Sequence, residues 1–349
     1  MPQSSNTNRL LYILLSVGLL ALFFANLIFG AVHIPLSGVM EILTDNISEG
    51  VRPSWVYIVI GSRLPQAITA LLAGSALAIS GLMLQTLFRN PLAGPSILGI
   101  SDGANLGVAI VMLAFGGAVQ IIPNLPISGY LTIIIAAIIG AMLVLSVIIW
   151  FSSRVQSNTM LLIVGIMIGY MVSSLISILN FRASSDKVHA FVMWGMGNFT
   201  GVSIDKLPYF SGFIIIGLIG SLLLIKPLNA LLLGEMYAAN LGIKIKPARI
   251  SILICTGILT ATATAFCGPI SFIGLAVPHI SRLLLGTSNH NHLIPITMLT
   301  GACIALLCNL MTVLPGDNQI FPLNAVTPIM GAPVIIYVIL NRKNIQYFN

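Results

Sequence analysis

Residues 64–88 read LPQAITALLAGSALAISGLMLQTLF, and no charged side chain interrupts them. The hydrocarbon core of a bilayer is about 30 Å thick, so a helix rising about 1.5 Å per residue crosses it with about 20 apolar residues. This stretch is therefore predicted to span a membrane. Residues 10–32 and 155–181 are also free of charge and long enough for the same interpretation.

The rest of the chain follows the same pattern, because its 349 residues carry only 15 basic and 8 acidic side chains. Longer uncharged runs are divided at glycine and proline, for example at Gly116-Gly117 and Gly268-Pro269, since these residues interrupt helices. We expect an all-α polytopic membrane protein that forms a single membrane domain over residues 1–349, with about ten spans. The predicted spans are 10–32, 57–88, 96–115, 128–151, 159–180, 208–226, 248–267, 272–286, 293–313 and 325–341.

The distribution of basic residues predicts the orientation of the chain. An even number of spans places both termini on one side, and Arg9, Arg342 and Lys343 lie beside the two ends. Basic residues accumulate on the cytoplasmic side of membrane proteins, so both termini are expected in the cytoplasm. The formal net charge of +7 is interpreted as membrane orientation, and it gives little support to nucleic-acid binding.

Two segments resemble each other across the middle of the chain. Residues 76–81 read ALAISG and residues 263–268 read ATAFCG, with Pro91 and Pro278 at the same distance after them. Five predicted spans separate the copies, so spans 2–5 and 7–10 would form an inverted repeat, an arrangement typical of transporters. Chance similarity among small residues is the alternative.

Small residues also recur at helical spacing within single spans. Gly103 and Gly107 form one GxxxG pair, and Gly165 and Gly169 form another. Such pairs allow two helix backbones to approach closely in a membrane. They are consistent with a compact bundle or with a dimer, and the alternative is the ordinary frequency of glycine in membrane helices.

A polar segment, residues 226–249, lies between the sixth and seventh predicted spans and is too polar to cross. Within it, residues 229–233 and 235–241 are predicted to form two short helices, with Gly234 at the turn and Gly242 at the end. From the pattern alone, the segment is either an amphipathic anchor at the membrane surface or a docking site for a soluble partner.

The sequence gives little sign of catalytic chemistry. No GxxxxGK[ST] or HExxH motif occurs, no Ser-His-Asp set is plausible, and no metal site is predicted. Asp102 is an acid expected within a span and is a functional candidate, although it and Ser101 could instead satisfy backbone donors near a helix start. A secondary transporter driven by an ion gradient is therefore one hypothesis, with Asp102 as its buried ionisable group.

Several longer motifs resemble the FecCD/BtuC-type permeases of ABC importers. They occur in the family's order and extend over nearly the whole chain. The motifs are RLP at 63–65, RNPLAGP at 89–95, LGIS at 98–101, LGE at 233–235, GPISFIGLAVPHISR at 268–282 and GAP at 331–333.

The resemblance implies a permease subunit in the bacterial cytoplasmic membrane that translocates a metal chelate by ATP-driven alternating access. A ferric siderophore is the expected cargo, with cobalamin and haem as alternatives. The implied partners are a second permease copy or paralogue, two cytoplasmic ATPases and an extracytoplasmic binding protein. ATP and magnesium would be bound by the ATPases, so this chain is expected to be no enzyme and to hold no cofactor.

The resemblance also assigns roles to particular positions. Segment 226–249 corresponds to the coupling helices that enter a cleft of the ATPase. Arg63 matches a family arginine that meets carboxylates of the binding protein, and Arg52 is expected to add to this docking in the present chain. In the family, two loops close the path toward the cytoplasm. The second of these loops, at Asn158 and Thr159 here, departs in residue type from the family's usual Thr-Ser pair. The expected coupling residues are Gly234, Glu235, Ala238, Leu241 and Gly242, and the expected cytoplasmic gate residues are Asn90, Leu92, Asn158 and Thr159.

Overall fold

The computed structural model describes residues 5–30, 32–45, 50–115, 129–155, 157–313 and 321–340. Within these ranges the regular structure is helical, as predicted. The predicted break at Gly116-Gly117 and the basic residues Arg342 and Lys343 lie outside the described residues.

The helices are numbered here in chain order. A π-helical segment, Val59–Arg63, joins α3 to α4, and another, Ile110–Ala114, continues α5. The helices are α1 (Ser5–Ile28), α2 (Leu36–Leu43), α3 (Pro53–Ile58), α4 (Leu64–Phe88), α5 (Ile100–Ala109), α6 (Gly129–Arg154), α7 (Asn158–Arg182), α8 (Ser185–Gly195), α9 (Leu207–Leu223), α10 (Ile225–Leu232), α11 (Glu235–Asn240), α12 (Ile245–Cys267), α13 (Ile273–Leu285), α14 (His290–Met311) and α15 (Leu323–Leu340).

The described helices agree with the predicted spans in position. Six are long and apolar enough to cross a membrane, and α9 with α10, bent by 53°, makes a seventh. Three shorter apolar helices, Ile100–Ala114, Ile273–Leu285 and Leu323–Val338, lie where the third, eighth and tenth spans were predicted. The all-α polytopic fold is therefore confirmed, with three of its apolar helices shorter than the long spans.

Proline and glycine account for some of the irregular helices. Pro278 lies inside α13, and Pro328 and Pro333 lie inside α15, where each removes one backbone hydrogen bond. Gly268 follows α12 with φ +74°, which ends that helix and directs the chain into the short α13. Such interruptions are stable in a membrane where neighbouring helices cover the backbone.

Helices α4 and α12 form the core of the bundle, whereas α1 and α7 lie at its periphery. Of the most apolar window of each span, 83% is buried in the α3–α4 span and 78% in α12, against 11% in α1 and 22% in α7. Burial of α4 on all sides follows from its composition, because apolar and small side chains occupy its whole circumference.

The two halves of the chain repeat the same packing. Helix α5 packs on α6 as α13 packs on α14, and α4 packs on α14 as α12 packs on α6. Helices α4–α7 thus correspond to α12–α15. The residue match used for the prediction is out of register, because Gly81 lies inside α4 whereas Gly268 follows the end of α12.

Glycine allows the central helices to touch through their backbones. An ideal Cβ on Gly81 would lie 1.7 Å from the Gly274 carbonyl oxygen of α13. A Cβ on Gly74 would lie 2.3 Å from the Gly301 carbonyl oxygen of α14. Side chains are excluded at both crossings, so α4 depends on these glycines for its central position.

The predicted GxxxG pairs pack inside this chain. A Cβ on Gly103 would lie 2.5 Å from the Gly140 carbonyl oxygen. A Cβ on Gly107 would overlap the Ala136 carbonyl, one turn away on α6. On α7, a Cβ on Gly169 would lie 2.8 Å from Oδ2 of Asp102. These glycines therefore support the compact bundle, and Asp102 lies at the crossing of α5 with α7.

Candidate coupling and gate site

Segment 226–249 forms two short helices, α10 and α11, as its pattern predicted. Helix α10 begins at Ile225, before the predicted residue 229, because the bend that follows α9 leads directly into it. Gly234 lies between the two helices with φ +107°, and Gly242 follows α11 with φ +85°. Both angles favour glycine, so the turn and the end of the pair are fixed by residue type.

The end of α11 is closed by two backbone hydrogen bonds. The Gly242 nitrogen donates to the Ala239 carbonyl at 2.9 Å, and the Ile243 nitrogen donates to the Ala238 carbonyl at 3.0 Å. This pattern is a Schellman motif, which satisfies carbonyls at a helix end. The predicted coupling residue Ala238 is fully buried beneath the pair, where it holds α11 against the bundle.

Large apolar side chains project from the outer surface of this pair. Met236 is 84% exposed, Tyr237 65%, Leu241 63% and Leu233 47%. We call these four residues the apolar tip. A cluster of exposed apolar residues is typical of a surface that binds a partner. Met236 and Tyr237 were not predicted, because nothing in the sequence states which side of so short a helix faces outward.

Glu235 points away from the apolar tip. Its Oε1 accepts hydrogen bonds from Arg249 Nη2 at 2.7 Å and from Asn158 Nδ2 at 2.9 Å. Its side chain is 33% exposed, whereas that of Arg249 is 5% exposed. The predicted coupling residue Glu235 and the predicted gate residue Asn158 are therefore in direct contact.

The two partners of Glu235 extend this contact to further helix ends. Asn158 Nδ2 donates to the Leu87 carbonyl in the last turn of α4 at 2.8 Å. Arg249 Nη1 donates to the carbonyls of Ser152 and Val155, at the end of α6, at 3.3 and 3.1 Å. One carboxylate thus connects segment 226–249 with the ends of α4, α6, α7 and α12.

The predicted gate residues lie at the same end of the bundle. In the loop after α4, the Leu92 nitrogen donates to Asn90 Oδ1 at 2.9 Å, and the Leu92 side chain is exposed. His279 Nε2 lies 2.8 Å from the Pro91 carbonyl, which holds the loop against α13. The contact between Asn158 and Leu87 brings the second loop close to it, and Thr159 beside Asn158 is exposed.

The turn at Gly234 also reaches the first gate loop. An ideal Cβ on Gly234 would lie 3.4 Å from Arg89 Nη1. Arg89 itself closes α4 in the left-handed region, with φ +45°, directly before Asn90. The turn at Gly234 therefore lies in van der Waals range of the residue that shapes the loop.

Helix α10 has a separate attachment to the bundle. Asn229 Oδ1 accepts from the His290 nitrogen at 2.8 Å and lies 2.9 Å from His290 Nδ1. His290 is buried at the start of α14, and its Nε2 lies 3.0 Å from Thr86 Oγ1 on α4. Neither Asn229 nor His290 was predicted, because their contact joins positions 61 residues apart without a motif.

The predicted docking arginines differ in exposure. Arg63 is 7% exposed, its Nη1 donates to the carbonyls of Leu27 and Ile28 at 2.7 and 2.8 Å, and its Nη2 donates to Val32. It closes the end of α1, and its role in docking a binding protein stays a prediction. Arg52 is exposed, 5.5 Å from the Trp55 ring, and its docking role stays a prediction.

The model of the FecCD transport family matches residues 18–341. The chain belongs to this family. It is 35% identical over 286 residues to the vitamin B12 import system permease protein BtuC of Klebsiella pneumoniae subsp. pneumoniae, covering 80% of this chain and 82% of the relative. It is 32% identical over 323 residues to the ABC transporter permease protein YvrB of Bacillus subtilis, covering 90% and 88%.

A solved structure shares the fold of this chain. It is presented as a metal-chelate type ABC transporter in an inward-facing conformation. The two chains are 28% identical, superpose with a TM-score of 0.81, and match over 96% of this chain and 99% of the other.

Membership establishes the general role of the chain. FecCD proteins are multi-pass membrane permease subunits of ABC transporters. They are not enzymes themselves, because ATP hydrolysis belongs to a separate subunit. ATPase and substrate-binding partners are therefore implied in general terms.

Proposed function

We propose that this FecCD chain is the permease of a bacterial importer that moves a metal chelate across the cytoplasmic membrane by ATP-driven alternating access. Both termini face the cytoplasm, and α10 and α11 are the coupling helices. The observation that carries the proposal is the apolar tip, exposed on a rigid helix pair where the ends of four membrane helices meet. The alternative function as a surface anchor does not use those connections.

The apolar tip is the docking surface for the ATPase. Met236, Tyr237 and Leu241 are each more than half exposed, and burying such a side chain contributes about 1.5–3 kcal/mol. The backbone bonds that close α11 and the bonds of Glu235 to Arg249 and Asn158 hold α11 in place before docking, so less conformational entropy is lost when the partner binds.

The remaining partners complete the transporter. A second copy of this chain forms a homodimer, and two ATPases bind the two tips together with ATP and magnesium. An extracytoplasmic binding protein delivers the chelate and docks near Arg52, whose exposed guanidinium stands beside Trp55.

Alternating access is a shift between two populated conformations of this assembly. Closure of the ATPases carries the coupling helices with it, and the helix ends that hold the gate loops follow. Asn90, Leu92, Asn158 and Thr159 would then open or close the cytoplasmic end of the path. Their position at one end of the bundle, within reach of segment 226–249, supports this role.

The cargo is a metal chelate, and we propose cobalamin as the first candidate. Vitamin B12 import permeases are among the relatives, at 35% identity to this chain. A ferric siderophore, expected from the sequence resemblance, is the second candidate and haem the third. Uptake of cobalamin, a ferric hydroxamate and haem into proteoliposomes with the full transporter decides among them.

Docking at the apolar tip is tested by truncating it. The double variant Met236→Ala and Tyr237→Ala should lower affinity for the ATPase by at least about tenfold, because two exposed anchors are lost. A matched control is Ile13→Ala with Leu14→Ala, which removes apolar side chains that are also more than half exposed, but on α1. Wild-type affinity in the tip variant would refute docking at this surface.

A further inference from the structure

Glu235 differs from its neighbours on α11 in where its side chain goes. Met236 and Tyr237 project outward, whereas Glu235 turns inward and is bonded on one oxygen by both Arg249 and Asn158. A residue used for docking would offer its side chain to the partner. The geometry therefore separates Glu235 from the apolar tip.

The bonds of Glu235 lead to a gate loop. Asn158 is the first residue of α7, and the same Nδ2 that donates to Glu235 also donates to the Leu87 carbonyl at 2.8 Å. The pair of bonds ties α11 to the start of α7 and to the end of α4. Any displacement of α11 must either carry Asn158 with it or break this contact.

The other attachment of the segment leads elsewhere. Asn229 on α10 is bonded to His290 on α14, and His290 contacts Thr86 on α4. The hydrogen bonds of Asn229 therefore connect α10 with α14 and α4, and not with α7. The hydrogen bond of Glu235 connects α11 with Asn158 on α7.

The Glu235 attachment uses a buried arginine. The Arg249 side chain is 5% exposed, and its other nitrogen is used by the end of α6. Hydrogen bonds to a charged group are stronger than neutral ones, and removing the carboxylate leaves the buried Arg249 with only the carbonyls at the end of α6. The carboxylate is thus suited to transmit force between helices.

We propose that Glu235 is a positioning residue that transmits movement of the docked ATPase to Asn158, and that it makes no essential contact with the ATPase. The inference deepens the proposed function and rests on it. Its signature is uncoupling, in which ATP is hydrolysed while less substrate is moved.

The test compares Glu235→Ala and Glu235→Gln in the complete transporter, reconstituted with its ATPase and binding protein. Three quantities are measured: affinity for the ATPase, the rate of ATP hydrolysis, and uptake of cobalamin, a ferric hydroxamate and haem. Glu235→Ala should keep ATPase affinity within about twofold and lower uptake per ATP by roughly tenfold, as expected for loss of the charged hydrogen bond that joins α11 to Asn158. Glu235→Gln, which retains an accepting oxygen, should fall between Glu235→Ala and the wild type.

Two further variants keep the proposal open to refutation. Asn158→Ala leaves the ion pair of Glu235 and Arg249 in place, so it serves as the test if removal of the carboxylate prevents folding. It too should keep ATPase affinity and lower uptake per ATP. The double variant Glu235→Ala with Asn158→Ala should be no worse than the poorer single variant, because both changes break one connection. Asp205→Ala, which removes an exposed acid elsewhere, should leave coupling unchanged.

The outcomes separate this inference from the proposed function. A large loss of ATPase affinity in Glu235→Ala would make Glu235 a docking residue and overturn the proposal. Unchanged uptake per ATP, or additive losses in the double variant, would overturn it as well. If the wild-type transporter moves none of the three chelates with ATP, the proposed function itself fails and the inference is withdrawn with it.

Discussion

Arg63 shows how a single side chain can hold two membrane elements together. Its guanidinium, almost fully buried, donates to the carbonyls of Leu27 and Ile28, which α1 leaves without intrahelical donors at its end. A helix end covered by a buried side chain has little access to water, so these bonds have no ready substitute.

Substituting Arg63→Gln should therefore lower the free energy of unfolding by about 2 kcal/mol, because charged hydrogen bonds to α1 are lost. Thermal unfolding of the purified protein in detergent measures this change. Arg52→Gln is the matched control, since Arg52 is exposed, and its stability should be unchanged. Equal stability of both variants would show that Arg63 does not hold α1 in place.

Arg63 also shows what could and could not be predicted from the sequence for a single residue. The RLP motif predicted that position 63 is functionally distinct, but the carbonyls that it contacts lie 36 and 35 residues earlier. Every residue type has the same backbone carbonyl, so the sequence does not identify which carbonyls Arg63 contacts. The contact between Glu235 and Asn158 could not be predicted either, because it joins two predicted sites that are 77 residues apart.

At the scale of elements, the position of α4 depends on small residues at its crossings. Gly81 is the clearest case, because a Cβ there would overlap the Gly274 carbonyl. Gly81→Ala should force α4 and α13 apart and lower the free energy of unfolding by about 2 kcal/mol or more.

The control for this crossing is Gly212→Ala on α9. Nothing lies within 4 Å of a Cβ at Gly212, so the substitution should leave stability unchanged or raise it slightly. Thermal unfolding of both variants in detergent gives the comparison. If Gly81→Ala is as stable as Gly212→Ala, the two helices are not in backbone contact.

Helix positions were predictable because charge-free length is a direct consequence of bilayer thickness. The predicted span 248–267 agrees with α12, which is Ile245–Cys267. The register of the internal repeat was less predictable, since ALAISG and ATAFCG match in residue type while Gly81 and Gly268 occupy different positions in their helices. Small residues are common at all helix crossings in membranes, so their similarity does not fix a register.

At the scale of the whole molecule, Asp102 distinguishes ion-driven from ATP-driven transport, because the two mechanisms assign it different roles. Its Oδ2 lies against Gly169, at the crossing of α5 with α7. An ion-driven carrier would need such a carboxylate to bind and release a cation. The ATP-driven account gives it no such role, so Asp102→Asn should retain most ATP-dependent uptake.

The measurement for Asp102→Asn is chelate uptake by the complete transporter with the proton gradient collapsed by an ionophore. Wild type and variant should both continue to accumulate chelate under these conditions. Loss of uptake in the wild type on adding the ionophore would instead favour the secondary transporter.

The most direct test of the whole account is accumulation against a gradient. Proteoliposomes are prepared with this chain, with and without its ATPase, and supplied with ATP, the binding protein and a labelled metal chelate. We predict that the internal concentration of chelate exceeds the external one only when both the ATPase and ATP are present. Accumulation to the same level without the ATPase would contradict the account.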